Sequence, residues 1–259
     1  KRTQGSKQLL STFHHIFAQS KIHKQYFDAL GAPCVSVLGN IKLVGLPLPV
    51  DERVQHHLKT VLDQRPWFMA ASTHKGEEEK LLHVFRQIKR TEPHACFVLA
   101  PRHMERVASI QDLVHAHHFT SGLYSKGLDS LQNCDVFIID TMGILGTFYS
   151  LKTIVFLGGT LVPVGGHNFI EAYQWGSCVI AGPYVHKQQE LIHYFEKAHC
   201  FIILDHEKFS EKILELWHNK QAREALIQKA HGVFEKHQHL CHDLFSCLKT
   251  HLPQDKTCP

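Results

Sequence analysis

The sequence predicts a protein of the α/β class, with a parallel sheet that helices cover on both faces. Short apolar runs of four to seven residues alternate with longer amphipathic stretches, and several of the runs end in glycine. Alternation of this regularity is typical of βαβ units, in which helices connect parallel strands. The composition agrees, because 44% hydrophobic and 20% charged residues are typical of a globular protein. We therefore predict a Rossmann-like architecture.

The beginning of the chain predicts a small strand–helix–strand segment. The apolar run 14–19 predicts a strand, 22–30 predicts a short helix, and 34–39 predicts a second strand after a glycine and a proline. Residues 43–51 contain two prolines and a glycine with little periodicity. We interpret them as a linker.

Strands and helices alternate through the rest of the chain. Five further strands are predicted over 67–72, 95–101, 136–140, 153–159 and 178–183. Helices are predicted over 76–90, 103–117, 168–175, 187–197, 207–218 and about 220–249. The first of these helices begins with the three acids Glu77, Glu78 and Glu79, which suit the positive end of a helix dipole.

Small polar residues, glycines and an arginine follow these strands at their carboxyl ends. They occur at 71–74, 100–103, 140–143, 158–160 and 182–183. Ligands of open parallel sheets bind outside the carboxyl ends of the strands. The sequence therefore predicts a binding cleft along this edge.

The segment 156–176, FLGGTLVPVGGHNFIEAYQWG, carries the clearest binding pattern. Two glycine pairs precede a helix that is predicted to begin near Asn168, and glycine lets a backbone approach a ligand closely. The amides of the first helical turn, Phe169 to Glu171, favour an anion such as a phosphate. Asn168 and Glu171 also have the spacing of a capping box, so a structural role stays open.

Two further turns supply candidate ligand contacts. Arg102, after Pro101, suits bidentate contact with a phosphate, although an arginine at a strand end also often makes only a surface ion pair. Met142 suits contact with a base, and Gly143 allows close backbone approach, although a strand-to-helix turn with a core methionine is an equal alternative. Ser72 to His74 is explained by a helix cap, with contact to a sugar as a secondary interpretation.

The histidines and cysteines do not form a convincing metal site. The chain has 23 His and 8 Cys without a C-x-x-C pair, and several cysteines lie in apolar runs, which favours core packing in a reducing compartment. His237 and Cys241 have helical spacing, with His239 and His242 nearby. No third ligand of fixed geometry accompanies them, so a solvated histidine-rich helix face is the preferred interpretation.

The charge and hydropathy of the chain exclude some classes of function. A net charge of +4, without a long basic run, suits an acidic substrate or a membrane surface but not a nucleic acid. No apolar stretch approaches the roughly 18 residues that a membrane-spanning helix needs. The chain begins with KRTQGSKQLL, without an initiator Met or an apolar signal core, and we interpret it as a piece of a longer protein.

Four motifs in this order resemble the Kdo (3-deoxy-D-manno-octulosonic acid) transferases of lipopolysaccharide synthesis, and the resemblance extends over roughly residues 14–235. The motifs are AASTHKGEEE (70–79), LAPRHMER (99–106), DTMGILGTFYS (140–150) and FLGGTLVPVGGHNFIEAYQWGSCVIAGP (156–183). Further upstream, YFDALGAPCVSVLGNIKL (26–43) is similar to the end of that family's N-terminal domain.

The resemblance implies the C-terminal half of a two-domain GT-B glycosyltransferase. Residues 1–45 would be the tail of the N-terminal acceptor domain, 46–240 the nucleotide-sugar-binding domain, and 241–259 a C-terminal tail. The residues implied to bind the CMP part of the donor are Pro101, Arg102, Met142, Gly143, Ile144, Asn168, Phe169, Ile170 and Glu171. We expect Arg102 and the amides after Asn168 to bind the phosphate, Glu171 the ribose, and Met142 with Gly143 the cytosine.

The resemblance also implies the reaction. Kdo would pass from CMP-Kdo to lipid A or to an attached Kdo, with inversion and without a metal ion or another cofactor, at the cytoplasmic face of the bacterial inner membrane. The family's general base is expected in the N-terminal domain, which would also contact the membrane surface. We therefore name no catalytic residue and expect the fragment alone to be inactive. The alternatives are a UDP-sugar transferase, a UDP-N-acetylhexosamine epimerase or a non-catalytic domain.

The chain departs from the family pattern at a few positions. Ile144 stands where a Glu is common, Ala172 and Tyr173 replace a Pro-Ala-type pair, and Val164 replaces a usually polar residue. Ile144 retains its backbone for contact with a ligand, but the side-chain contact is lost. We expect these changes to alter details of the pocket rather than the function.

Overall fold

A computed structural model describes residues 2–63 and 65–251, and the chain divides into two compact units. The first unit combines Lys1–Leu46 with Phe234–Pro259, and the second is Pro47–Val233. The strands are β1 Ile16–Ala18, β2 Val35–Val37, β3 Trp67–Thr73, β4 Cys96–Pro101, β5 Ser121–Leu123, β6 Val136–Ile138, β7 Ile154–Leu157, β8 Cys178–Ala181 and β9 Ile202–Ile203. The helices are α1 Arg2–Leu10, α2 Lys21–Ala29, α3 Glu52–Leu62, α4 Glu77–Thr91, α5 Val107–Ala116, α6 Ser130–Asn133, α7 Leu145–Tyr149, α8 Ile170–Gln174, α9 Gln189–Lys197, α10 Phe209–His218, α11 Lys220–Glu235 and α12 His239–His251.

The first unit contains the predicted strand–helix–strand segment. Strands β1 and β2 pair in parallel, with Phe17 opposite Ser36. Helix α2 joins them, and the side chain of Ser20 caps it by accepting a hydrogen bond from the amide of His23. A short 3-10 helix over Ile41–Val44 follows β2, and α12 contacts it.

The second unit is built on a parallel seven-stranded sheet with the order β5-β6-β4-β3-β7-β8-β9. Each neighbouring pair is parallel, which confirms the predicted fold class. The chain moves from β3 to β4 on one side of β3, and β7 later joins the other side. The order of the strands thus reverses direction at β3 and β7.

Helices cover both faces of this sheet. On one face, α4, α5 and α10 bury their apolar residues against strand residues such as Phe68 and Phe97, whose rings stack with centroids 4.6 Å apart. Because successive strand residues point to opposite faces, Met69 and Val98 face the other way and are equally buried. On that second face Phe148 of α7 packs against Phe137 of β6.

The structure differs from the predicted elements in several places, and helices α1, α6 and α7 were not predicted. Residues 43–51 are not only a linker, because they contain part of the 3-10 helix and end at Asp51, whose carboxylate caps the unpredicted helix α3. The predicted helix 220–249 is two helices, α11 and α12, separated at 236–238. Strands β5 and β9 were not predicted. The predicted domain boundary after residue 45 lies one residue from the division between the units, but 234–240 groups with the first unit.

Residues 239–251 form helix α12, so the predicted C-terminal tail 241–259 is helical as far as His251. Its remainder lies outside the described residues. None of the described helices combines the length and the apolar character needed to cross a bilayer.

Candidate functional site

The candidate site lies at the carboxyl ends of β3, β4, β6 and β7, around the point where the strand order reverses. Crevices at such points bind ligands in open parallel sheets, because the loops on the two sides diverge there. The turns after these four strands carry most of the predicted binding residues.

Glu77, the first residue of α4, joins the turns after β3 and β7. Its side chain is fully buried, at 0% exposure, and its two carboxylate oxygens accept four backbone hydrogen bonds. The donors are the amides of His74 at 2.8 Å, Gly159 at 2.7 Å, Thr160 at 3.0 Å and Leu161 at 2.9 Å. Burial raises the pKa of Glu77, while the four amides oppose that shift. We call this arrangement the Glu77 clamp.

The Glu77 clamp corrects the interpretation of the glycine pairs. The amides of Gly159, Thr160 and Leu161 are occupied by the carboxylate. The amides of Gly165 and Gly166 both donate to the carbonyl of Gly159, at 3.0 and 2.9 Å. These glycines therefore allow the tight turn, and the amides around them are not available to bind an anion. An open glycine loop and a closed one have the same sequence pattern, so the prediction was wrong here.

Close packing explains why the turn after β7 needs glycine. A Cβ at Gly158 would lie 2.1 Å from the carbonyl oxygen of Ser72. Ser72 itself has φ 60°, a strained value for serine, where the pairing of β3 with β4 shifts register. The hydroxyl of Thr73 is buried beside it and has no hydrogen-bond partner in the part of the chain that is described.

Two histidines meet above this turn. The Nε2 atoms of His74 and His167 lie 2.6 Å apart with parallel rings, and the ring of His103 lies edge-on to His74 at 5.6 Å. At that distance one Nε2 donates and the other accepts, so at least one of the two rings is neutral. Burial, and then the charge of His74, lowers the pKa of His167 to about 4. Burial and then His103 lower the pKa of His74.

Two cations act on this histidine pair. Arg102 directly follows β4, its side chain is exposed, and its amide donates to the carbonyl of Thr73 at 3.0 Å. Among the charges that lower the pKa of His167, Arg102 comes after His74 and is followed by Lys187. Arg102 therefore lies at the same edge of the sheet as His167, the residue before Asn168, as predicted. Lys187 lies shortly after the end of the motif 156–183, and its amide donates to the carbonyl of Gly165 at 3.1 Å, but sequence reasoning missed it.

The turn before α8 is organised by Asn168. Its side-chain amide donates to Oε1 of Glu171 at 2.8 Å, and its Oδ1 accepts from the amide of Ile170 at 3.3 Å. The side chains of Phe169 and Ile170 are buried in the core, so only their backbone is available to a ligand. Helix α8 begins at Ile170 with Phe169 as its N-cap and without a side-chain cap hydrogen bond, so the predicted capping box does not form. Asn168 and Glu171 pair through their side chains instead, at the edge where the ligand interpretation needs them.

The turn after β6 is the most open of the candidate turns. Met142 is 71% exposed, so the alternative interpretation as a core methionine is wrong. Gly143 has φ +87°, and a Cβ there would meet nothing within 4 Å. The side chain of Ile144 is buried, with 8% exposure, so its backbone is the part that remains for a ligand. Pro101, at the end of β4, is buried as well.

An ion pair between Arg106 and Glu78 stabilises the turns around the site. The guanidinium of Arg106 makes two bonds of 2.9 Å to the two carboxylate oxygens of Glu78, whose side chain is 1% exposed. Arg106 also donates to the carbonyl of Thr73 at 3.4 Å. Two of the three acids that open α4 therefore hold the site together, beyond any effect on the helix dipole. Sequence reasoning missed this pair because nothing in the spacing of 78 and 106 indicates it.

Comparisons with known proteins place the chain among relatives, although no family model matches it. The 3-deoxy-D-manno-octulosonic acid transferase of Rickettsia felis is 35% identical over 191 residues, which are 74% of this chain and 41% of that protein. The enzyme of that name from Aquifex aeolicus is 30% identical over 211 residues, 81% of this chain and 56% of that protein. The crystal structure of the C-terminal CMP-Kdo binding domain of WaaA from Acinetobacter baumannii aligns with a TM-score of 0.65 at 24% identity, covering 71% of this chain and 98% of that domain.

The fold is that of the C-terminal half of a GT-B glycosyltransferase. The chain belongs to the 3-deoxy-D-manno-octulosonic acid (Kdo) transferase family, with identities of 28–35% to the relatives of that name. It spans about two fifths to three fifths of the length of these relatives, from 41% to 57%.

Proposed function

We propose that this chain binds CMP-Kdo as the donor half of a Kdo transferase. The observation that carries the proposal is the position of Arg102 relative to Asn168. Arg102 follows β4 and is close enough to His167, the residue before Asn168, for its charge to lower the pKa of that histidine. An arginine near the backbone of a turn before a helix suits the phosphodiester of CMP-Kdo, because a guanidinium donates two parallel hydrogen bonds to its two free oxygens.

The predicted binding residues would divide the donor among them. Arg102 binds the phosphate, with Lys187 as an added cation. The backbone of Asn168 to Glu171 approaches the same phosphate, and Glu171 accepts from the ribose hydroxyls. The exposed side chain of Met142 lies against the cytosine, with the backbone of Gly143 and Ile144 beside it. Pro101 orients the backbone that leads into Arg102.

In the proposed reaction an acceptor hydroxyl attacks the anomeric carbon of Kdo. The bond from that carbon to the phosphate oxygen breaks, its electron pair leaves with CMP, and the configuration inverts. A general base takes the hydroxyl proton, and we propose that this base lies outside these 259 residues. Arg102 and Lys187 stabilise the charge of the departing phosphate, so that the step proceeds without a metal ion.

We further propose that the acceptor is lipid A or a Kdo already attached to it. The complete enzyme would then work at the cytoplasmic face of the bacterial inner membrane, with the remaining part of the protein contacting the membrane surface. The present chain alone would bind the donor and transfer nothing.

A nucleotide titration tests the donor assignment. We expect calorimetry to detect binding of CMP in preference to UDP, and Arg102→Ala to weaken CMP binding by about 10- to 100-fold, because a charge-assisted pair of hydrogen bonds is lost. Arg90→Ala, at an exposed position near the end of α4, is the matched control and should leave the affinity unchanged. Equal binding of UDP would favour a UDP-sugar transferase or an epimerase, and an unchanged affinity in Arg102→Ala would refute the phosphate assignment.

A further inference from the structure

A group of metal-ligating side chains lies on the helical face of the second unit, outside the residues assigned to the donor. Glu79 and His83 lie four residues apart on α4, and His117 follows the end of α5. One ligand atom from each of the three lies within 4.8 Å of the other two. The rings of His83 and His117 have centroids 5.0 Å apart in an edge-to-face arrangement.

We propose that Glu79, His83 and His117 form a binding site for a divalent transition-metal ion of the zinc class. Two histidine nitrogens and a carboxylate are a ligand set that zinc accepts, usually with water in the fourth position. Bonds of about 2.0–2.2 Å place tetrahedral ligands roughly 3.5 Å apart, so small rotations of exposed side chains suffice to close the site. Residues four apart on a helix present their side chains on the same face, which holds two of the ligands in register.

His117, the ligand that follows α5, has a buried ring nitrogen without a hydrogen-bond partner among the described residues. This nitrogen is Nδ1. A cation bound through this nitrogen would supply the missing partner.

The neighbouring charges partly oppose a cation and partly support it. The guanidinium of Arg86 donates to the carbonyl of His117 at 2.9 Å and is the nearest positive group to consider. Glu79 supplies the compensating negative charge. The net effect is a site of moderate affinity that depends on all three ligands.

Such an ion would connect α4 to the turn after α5. Both helices pack on the same face of the sheet, and the first turn of α4 also contains the Glu77 clamp. Metal binding would therefore stabilise the second unit without entering the donor site. This separates the proposal from the proposed function, because either one can fail while the other stands.

Titration with Co²⁺ and Zn²⁺ tests the site on the full chain. We expect Co²⁺ to give the visible absorption of a tetrahedral complex with one equivalent at saturation, and Zn²⁺ to displace it. Zn²⁺ at about 100 times its Kd should raise Tm by roughly 5–10 °C. His83→Gln and Glu79→Gln should each lower the affinity at least 10-fold, while far-UV circular dichroism in chelator stays unchanged because both positions are exposed.

His193→Gln is the matched control, since His193 is an exposed helical histidine on α9. It should bind the metal like the parent chain, which separates this site from adventitious binding to the many other histidines. Equal affinity in the parent, His83→Gln and Glu79→Gln would overturn the proposal. So would a cobalt complex without tetrahedral absorption.

Discussion

The turns after β6 and β7 both look like open glycine loops in the sequence, yet they differ in the structure. The turn after β7 is closed from within, because Glu77 accepts its amides and Gly158 lies against the carbonyl of Ser72. The turn after β6 is open, with Met142 exposed and free space around Gly143. The difference teaches that a glycine serves a ligand only where the protein has left its neighbouring amides unoccupied.

Removing the Glu77 clamp should have the largest effect. Glu77→Gln replaces an acceptor oxygen with an NH₂ group that faces backbone amides, and we expect the free energy of unfolding to fall by about 3–5 kcal/mol. Urea unfolding followed by fluorescence measures the loss. The control is Glu79→Gln, measured in chelator, because Glu79 is an exposed acid in the same helical turn as Glu77. This variant should change the free energy of unfolding by less than about 0.5 kcal/mol. Similar losses in the two variants would show that the clamp does not hold the turn.

Replacing one glycine by alanine in each turn compares the closed turn after β7 with the open turn after β6. Gly158→Ala forces a Cβ to within 2.1 Å of the Ser72 carbonyl, and we expect a loss of about 3 kcal/mol or more. Gly143→Ala meets no neighbour but adopts φ +87°, so about 1–2 kcal/mol should be lost. Thermal unfolding of both variants gives the comparison. An equal loss in both would contradict the distinction between a closed and an open turn.

Acidification should lower the free energy of unfolding, because His167, which contacts His74 beside the closed turn, becomes protonated. The folded chain holds His167 neutral, with a pKa of about 4 against 6.5 for an ordinary histidine. Its contribution to stability is therefore complete above pH 6.5 and is lost as the pH falls toward 4. Because the ring is only half-buried, we expect this contribution to be about 1–2 kcal/mol.

The pH dependence of a variant isolates this effect. We expect the stability of His167→Gln to fall less steeply than that of the parent between pH 7 and pH 4.5, as measured by urea unfolding at several pH values. His193→Gln, at an exposed helical position, should retain the parent's slope. If the parent and His167→Gln had the same slope, the histidine would not be held neutral by the fold.

The fold followed largely from the sequence because its strands are buried on both faces. A strand of this kind is a continuous apolar run, as at 95–101 and 136–140, and glycine or a small polar residue ends it. Strand β5 was missed because it has three residues and lacks such a run. Strand β9 was missed although the apolar run CFIIL (200–204) surrounds its two residues. Helix α3 was missed although Asp51 gave a capping signal, since the prolines before it favoured a linker.

The site was only partly predictable from the sequence. Arg102 directly follows β4 and Met142 lies in the turn after β6, so the parallel sheet alone brings these two residues to one edge. Asn168 lies at the end of the long connection from β7 to α8. The contact of His74 with His167 joins residues 93 positions apart, and no local pattern encodes which side chains meet across that distance. The same holds for Lys187. Their roles in binding the donor stay predictions.

The Glu77 clamp has a consequence for how the site is assembled. The carboxylate and the amide of Leu161 are 84 positions apart in the chain, after the neighbouring strands β3 and β7. Contacts of such long range form late, because the intervening chain has to be ordered first. In a chain folded only through β6, the carboxylate would have the amide of His74 but not its other three backbone donors. We therefore expect the first half of the domain to reach its full stability only after β7 has joined the sheet.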